Sequence, residues 1–111
     1  MFNKKEVDGV TVVTVPLSRA TLEKAGSFKD YLTQVIENDN KKIVVDLSLC
    51  DFVDSTFLGV LVASLKKAVT YNGDLRLVFT NEMPLGILQL TRMDKVFKIF
   101  TDLDEAVVSY N

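Results

Sequence analysis

The chain has 111 residues, 48% of them hydrophobic, with a formal net charge of −2. This length fits one domain with a single core and leaves no room for a second. The sequence has no basic cluster typical of nucleic-acid binding, no apolar run long enough to cross a bilayer and no secretory signal. We therefore expect a cytoplasmic protein that binds neither nucleic acid nor membrane directly.

The residue types also argue against an enzyme that works alone. The sequence has no histidine, the residue that most often serves as a general base or a metal ligand. No glycine-rich phosphate loop or paired-cysteine motif is present. The single cysteine, Cys50, is expected to be a small buried hydrophobic residue at the end of an apolar strand. We expect no catalytic residues, no metal and no cofactor.

The first half of the chain predicts two strands that flank a helix. Residues 9–17 are rich in β-branched side chains and predict a strand that Pro16 ends, paired with a short strand before the Asp8-Gly9 turn. Residues 21–37 predict a helix with Thr21 as N-cap and an apolar face formed by Leu22, Ala25, Phe28, Leu32, Val35 and Ile36. The nearly continuous apolar run "KIVVDLSLC" predicts a central strand, and we expect Asp46 within it to bind local backbone donors.

The second half repeats the alternation. A long helix is predicted after Asp54, with one face formed by Phe57, Leu58, Leu61, Val62, Leu65 and Ala68, while Ser64, Lys66 and Lys67 lie off that face. Gly73 suits a turn with positive φ. The strand "LRLVFT" follows, then a helix capped by Asn81 with Pro84 in its first turn, the short strand "KVFKIF", and a last helix with Thr101 and Asp104 at capping-box spacing.

This order of elements predicts an α/β fold. Alternating strands and helices favour right-handed crossovers and a parallel sheet. We expect one domain over residues 1–111, with a mixed, mostly parallel sheet of about four to five strands and helices packed against it. The fold class by itself implies no function.

The stretch "DFVDSTFLGVLVASLKKA" (residues 51–68) places Asp54, Ser55 and Thr56 between a strand and a helix. Free backbone N–H groups and a partial positive charge at the helix start would stabilise a phosphoryl group on either hydroxyl. Its charge, beside Asp54 and an apolar surface, would disrupt a protein interface. The same residue types are preferred at helix starts whatever the function, so these residues alone favour a plain cap and leave a modification site open.

The sequence "VVDLSLCDFVDSTFLGVLVASLKKA" resembles the signature of the STAS domain of bacterial anti-sigma factor antagonists, in which a strand ending in Asp-Leu is followed by Asp-Ser-(Ser/Thr)-Gly-Leu-Gly and an apolar helix. Asp54, Ser55, Thr56, Leu58 and Gly59 match that pattern. The segment "LQLTRMDKVFKIFTDLDEAV" is similar to the end of the family's domain, so that the resemblance runs from about residue 10 to residue 108.

The resemblance implies a switch whose chemistry is supplied by other proteins. Ser55 would be phosphorylated, with Thr56 as the secondary candidate, by an anti-sigma factor that is also a GHKL-type serine kinase, and a PP2C-type phosphatase would reset it. Only the unphosphorylated form would bind the anti-sigma factor. The implied partner-binding residues are Asp54, Ser55, Thr56, Phe57, Gly59, Ser18 and Thr21. Gly59 would permit close helix packing, Leu58 and Leu61 would be core, and the protein would be a monomer or weak homodimer.

The sequence departs from the family pattern at three places. Phe57 stands where glycine is usual, and it could protrude beside Ser55, as an obstruction or an anchor, or belong to the core. The acid often found before the first helix is missing at Ser18 to Thr21, and Arg92 replaces a frequent glycine. The main alternative is therefore a STAS interaction module that is not phosphorylated, within a signalling or lipid-transport assembly.

Two alternatives of other classes are weaker. A receiver-type phosphoacceptor needs acids clustered at strand ends around Mg²⁺, and Asp46 and Asp54 are the only central candidates. A thiol enzyme using Cys50 lacks a basic partner nearby in sequence.

Overall fold

The sheet begins with a hairpin whose turn is specified locally. Strands β1 (Asn3–Val7) and β2 (Val10–Thr14) pair antiparallel, with Val7 opposite Val10. Asp8 and Gly9 have φ values of 51° and 80°, the left-handed conformations that a tight two-residue hairpin turn requires. The hairpin predicted around Asp8-Gly9 is therefore confirmed in the computed structural model, which describes residues 1–111.

The remaining elements alternate as predicted, with two additional short strands. In chain order they are β3 (Arg19–Ala20), α1 (Leu22–Glu37), β4 (Lys42–Asp46), β5 (Phe52–Val53), α2 (Ser55–Thr70), β6 (Asp74–Val78), α3 (Glu82–Leu90), a 3-10 turn (Met93–Lys95), β7 (Ile99–Phe100) and α4 (Leu103–Val108). The main sheet has the order β1-β2-β4-β6-β7, and every pair after the first is parallel. The predicted mixed, mostly parallel α/β sheet is confirmed.

Strand β4 occupies the centre of this sheet, between β2 and β6. Its residues Ile43, Val44 and Val45 are fully buried because side chains cover both faces. Helices α1 and α2 pack on one face over the larger apolar cluster, whereas α4 covers a smaller cluster on the other face. The continuous apolar run in the sequence correctly predicted a strand buried on both sides.

The helix faces differ from the prediction at two residues. Leu22, assigned to the buried face of α1, is 67% exposed because it is the first residue of the helix. Ser64, placed off the buried face of α2, is only 5% exposed. The buried residues of α2 include positions 57, 61, 64 and 68, so the small Ser64 side chain lies where α2 packs against α1.

The last third of the chain required three corrections. The strand predicted from "KVFKIF" is reduced to Ile99–Phe100 because residues 93–95 form a 3-10 turn. Helix α4 starts at Leu103, and Asp102 caps it by accepting a hydrogen bond from the Asp104 amide at 3.2 Å, so Thr101 is not the cap. Asn81 has the N-cap position of α3, but its side chain forms no capping bond.

The turn before β6 requires glycine at position 73 because there is no room for a side chain, and not because of a positive φ. The residue with positive φ is Asn72, at 65°, so the prediction for Gly73 was wrong. A Cβ atom at Gly73 would lie 2.6 Å from the Lys41 carbonyl oxygen, which only glycine avoids without a backbone shift. Arg92 also has a positive φ, 61°, which explains physically why glycine suits this position.

Candidate functional site

Ser55 is the first residue of α2 and lies at the carboxyl end of the parallel sheet. Ser55 and Thr56 are both exposed. The first amides of a helix have no acceptor within the helix and carry partial positive charge. The Ser55 hydroxyl is therefore accessible, in a place where an added anion would be stabilised by backbone dipoles.

The Asp54 carboxylate joins the starts of two helices. Its Oδ1 accepts a hydrogen bond from the Phe57 amide of α2 at 2.8 Å, and its Oδ2 accepts one from the Leu22 amide of α1, also at 2.8 Å. Thr21, predicted to cap α1, has N-cap geometry but no side-chain capping bond, and the side chain that bonds to the start of α1 is that of Asp54. Sequence reasoning anticipated the cap on α2 but missed the bond to α1, since the two residues are 32 positions apart.

A two-stranded parallel sheet holds the Ser18–Thr21 segment beside residues 54–56, which we call the Ser55 loop. The Ser18 carbonyl accepts hydrogen bonds from the amides of Asp51 (2.7 Å) and Phe52 (3.2 Å), and the Ala20 carbonyl accepts one from Asp54 (3.0 Å). This confirms that the segment containing Ser18 and Thr21 lies next to Asp54 and Ser55. The sequence did not predict β3 and β5, because a strand of only two residues is too short to show a recognisable pattern.

Phe57 belongs to the core. It is fully buried, and its ring stacks on the Phe28 ring with centroids 4.5 Å apart and planes inclined by 11°. The alternative in which Phe57 protrudes beside Ser55 is therefore wrong. Its side chain neither blocks access to the Ser55 hydroxyl nor offers an apolar anchor, so we remove it from the predicted partner-binding set. Only its backbone amide acts at the site, as a donor to Asp54.

Gly59 lies one helical turn beyond Ser55 and is exposed. A Cβ atom built there would meet no atom within 4 Å. The prediction that Gly59 permits close packing within the domain is therefore wrong. Leu58 and Leu61, with exposures of 7% and 0%, are core residues as predicted.

The connection between β6 and α3 is tied to the same end of the sheet by side chains. The Thr80 hydroxyl donates to the Ser48 carbonyl at 3.0 Å. The Asn81 amide donates to the Cys50 carbonyl at 2.6 Å and to Asp51 Oδ1 at 3.1 Å. These bonds bring the first turn of α3 next to the Ser55 loop, a neighbourhood that the sequence did not indicate.

Three large apolar side chains remain exposed around this loop. Leu22 starts α1, Leu49 lies between β4 and β5, and Met83 lies in the first turn of α3, with exposures of 67%, 59% and 61%. They were missed because the helical periodicity assigned Leu22 to the core, and nothing local distinguished Leu49 or Met83. The site thus combines an exposed hydroxyl with apolar side chains contributed by the starts of α1 and α3 and by the β4–β5 connection.

Cys50 is unsuited to thiolate chemistry. It is fully buried, in the turn before β5 rather than at a strand end. Burial, followed by the charges of Asp46 and Asp51, raises the pKa of the thiol from 9.0 to about 12. The thiol is therefore protonated at neutral pH, which contradicts the thiol-enzyme alternative and confirms Cys50 as a small buried hydrophobic residue.

The carboxylates proposed for a receiver-type site are engaged locally. Asp46 Oδ1 accepts a hydrogen bond from the Ser48 amide at 3.0 Å, as predicted, and Asp54 is occupied by two helix amides. No three acidic or cysteine side chains are grouped so as to hold a metal ion. None of the helices is long and apolar enough to cross a membrane.

Comparison with known proteins gives a consistent assignment. The sequence model of the STAS domain matches residues 1–106. A protein of Thermotoga maritima, provisionally named an anti-sigma factor antagonist, is 34% identical over 108 residues, which cover 96% of this chain and 95% of the relative.

Solved structures of such proteins have the same fold. A crystal structure of a Thermotoga maritima protein with the same provisional name has a TM-score of 0.85 at 32% identity and covers 97% of this chain and 92% of its own. An anti-sigma factor antagonist of Mycobacterium paratuberculosis has a TM-score of 0.89 at 26% identity, covering 98% of this chain and 92% of its own. With the fold, the Asp-Ser-Thr helix start and these relatives in agreement, the chain belongs to the STAS domain family.

Proposed function

We propose that this protein is an anti-sigma factor antagonist of the cytoplasm that docks on its partner through the surface around Ser55. The partner is an anti-sigma factor with GHKL-type serine kinase activity, which phosphorylates Ser55 and is thereby released. A PP2C-type phosphatase restores the binding form. The names of the relatives and the match of Asp54, Ser55, Thr56, Leu58 and Gly59 to the family pattern support this proposal.

The observation that carries the proposal is the exposed Ser55 hydroxyl directly after a carboxylate that two backbone hydrogen bonds hold in place. A phosphoryl group on Ser55 would repel the Asp54 carboxylate. If the carboxylate rotated away, it would lose its hydrogen bonds to the Leu22 and Phe57 amides. The phosphoryl group would add nearly two negative charges beside this fixed one. Because the α2 amides also stabilise an anion at this place, phosphorylation would change the charge of the surface without unfolding the helix.

The other predicted residues have supporting roles in this proposal. The exposed Gly59 leaves the α2 backbone open to a partner one turn beyond Ser55. Ser18 and Thr21 lie on the neighbouring segment that completes the surface. Thr56 is exposed and is the secondary acceptor.

The test is intact-mass spectrometry after incubation with ATP and the GHKL-type kinase of the same organism. We expect one phosphate on the wild type and on Thr56→Ala, the matched hydroxyl control, and none on Ser55→Ala. Calorimetric titration with the same kinase should show that Ser55→Asp binds at least tenfold more weakly than the wild type.

Other outcomes would redirect or reject the proposal. A phosphate that persists in Ser55→Ala would move the acceptor to Thr56 or elsewhere. Tight binding without any phosphorylation would favour the STAS interaction module that is not switched, consistent with the missing acid at Ser18 to Thr21. Neither binding nor phosphorylation, with a folded protein, would reject the proposed function.

A further inference from the structure

The first turn of α3 and the β4–β5 connection form one surface, which we name the α3 shoulder and define as residues 48–51 and 80–83. The Thr80 and Asn81 side chains hold these segments together through three hydrogen bonds to Ser48, Cys50 and Asp51. Asn81 makes these bonds instead of capping its own helix. The shoulder is therefore a fixed surface beside the Ser55 loop.

The shoulder exposes apolar side chains that the domain itself does not need. Leu49 and Met83 are 59% and 61% exposed, whereas their neighbours Cys50 and Pro84 are buried. Replacement of either side chain by a polar one would therefore remove few contacts within the domain. Large apolar side chains exposed next to a docking surface are typical anchors of a protein partner.

The α3 shoulder carries negative charge and no positive charge. Asp51 and Glu82 are the only charged residues of the shoulder, and both are exposed. On the neighbouring β3–α1 segment, Arg19 lies over the Phe52 ring at 4.4 Å, and the first turn of α1 holds both Glu23 and Lys24, so that segment carries both signs of charge. Opposite potentials across an interface speed encounter and fix its orientation, so the acidic shoulder selects a basic surface.

We infer that the α3 shoulder is a second contact segment for the anti-sigma factor, whose facing surface pairs an apolar patch with lysine or arginine side chains. This inference rests on the proposed function, because the shoulder is continuous with the Ser55 surface. It extends that function by assigning partner selectivity to the first turn of α3 and to Leu49. The Ser55 loop controls whether the complex forms, and the shoulder controls which partner fits.

The apolar part is tested by calorimetric titration of the unphosphorylated protein with the kinase in the absence of ATP. We expect Leu49→Ala and Met83→Ala each to raise Kd about tenfold, because anchors in a partner's pocket account for much of the affinity. Leu90→Ala is the matched control, since Leu90 is 86% exposed at the far end of the same helix. It should change Kd less than twofold.

The charged part is tested by association kinetics at two salt concentrations. Glu82→Lys should lower the association rate several-fold at low salt and weaken its dependence on salt. Glu105→Lys is the control, because Glu105 is an exposed acid on α4, which covers the other face of the sheet. It should leave the association rate nearly unchanged.

The outcomes separate this inference from the proposed function. If the shoulder variants bind within twofold of the wild type while Ser55→Asp abolishes binding, the inference is overturned and the proposed function stands. If the wild type itself does not bind the kinase, both are overturned. Thermal unfolding of each variant verifies that a loss of binding does not reflect a loss of fold.

Discussion

The two ends of the parallel sheet are constructed differently. At the amino end, the chain turns through Asp8, Asp39 and Asn72, all with positive φ. Aspartate and asparagine tolerate this left-handed region better than most residues. The hollow there is lined by polar side chains such as Thr11 and Asn40, which bond to each other at 2.8 Å. Local chemistry therefore specifies the turns at this end, although the Thr11–Asn40 bond joins residues 29 positions apart.

At the carboxyl end, side chains cross between connections that are distant in sequence. Asp54 bonds to the start of α1, and Asn81 bonds to the β4–β5 connection. Large apolar residues stay exposed beside these bonds, at Leu22, Leu49 and Met83. Hydrogen bonds between residues about 30 positions apart occur at both ends. The comparison teaches that left-handed turns specify the amino end, whereas side chains such as Asp54 and Asn81 position the connections at the carboxyl end, which binds ligands in many α/β folds.

Among substitutions at the two ends of the sheet, removal of the Asp54 carboxylate is expected to change the free energy of unfolding most. Asp54→Ala should lower the free energy of unfolding by about 2–3 kcal/mol, because the first-turn amides of two helices lose their acceptor. Asp54→Asn keeps one acceptor oxygen and should recover about half of that loss. Urea unfolding of the purified variants measures both values.

The matched control for this change is Asp102→Ala. Asp102 caps only α4, through one bond of 3.2 Å to the Asp104 amide, and its loss should cost about 0.5–1 kcal/mol. Equal costs for Asp54→Ala and Asp102→Ala would contradict the double role of Asp54.

Replacing a glycine by alanine should change the free energy of unfolding in opposite directions at the amino and carboxyl ends of the sheet. Gly73→Ala places a Cβ 2.6 Å from the Lys41 carbonyl oxygen and should lower the free energy of unfolding by about 1–3 kcal/mol. Gly59→Ala meets nothing within 4 Å and should raise it by about 0.5–1 kcal/mol, because alanine favours a helix interior. Thermal or urea unfolding distinguishes the two.

Gly26→Ala provides the control for Gly59→Ala. Gly26 is an exposed glycine inside α1 with the same free space, so both variants should gain similar stability. A loss of kinase binding in Gly59→Ala alone would show that the partner approaches the α2 backbone. A destabilising Gly59→Ala would contradict the packing described here.

Ionisation of the Cys50 thiol is expected to have the smallest effect on stability at neutral pH, and its effect grows at alkaline pH. Its folded pKa, about 12, exceeds the ordinary 9.0, so the unfolded chain releases the thiol proton at a lower pH than the folded protein does. This contribution to stability is therefore complete below pH 9 and is lost as the pH rises toward 12. Burial and Asp74 also raise the pKa of Tyr110, which extends the decline at alkaline pH.

The measurement compares urea unfolding at pH 7 and pH 10 for the wild type and Cys50→Ala. The variant should lose less stability between the two pH values. At pH 8, a thiol reagent should label the native protein only through unfolding, and rapid labelling of the native state would show that Cys50 is more accessible than the structure indicates.

Much of the fold could be predicted because the signals are local and periodic. The buried strand β4, the helices and the Asp8-Gly9 hairpin follow from apolar periodicity and turn chemistry. The predicted phosphoacceptor Ser55 lies at a helix start, as its sequence neighbours indicated. The predicted role of Phe57 was left open, because the sequence alone does not show whether an aromatic residue in the first helical turn faces inward.

The sequence by itself therefore determined the order of the elements, the central strand and the position of the exposed hydroxyl after Asp54. Only the tertiary structure decided that Asp54 serves two helices, that Phe57 stacks on Phe28, and that Asn81 holds α3 beside the Ser55 loop. The physical reason is that periodicity and capping depend on neighbours within a few residues. Contacts between connections depend on how the helices pack across the sheet, which brings together residues about 30 positions apart.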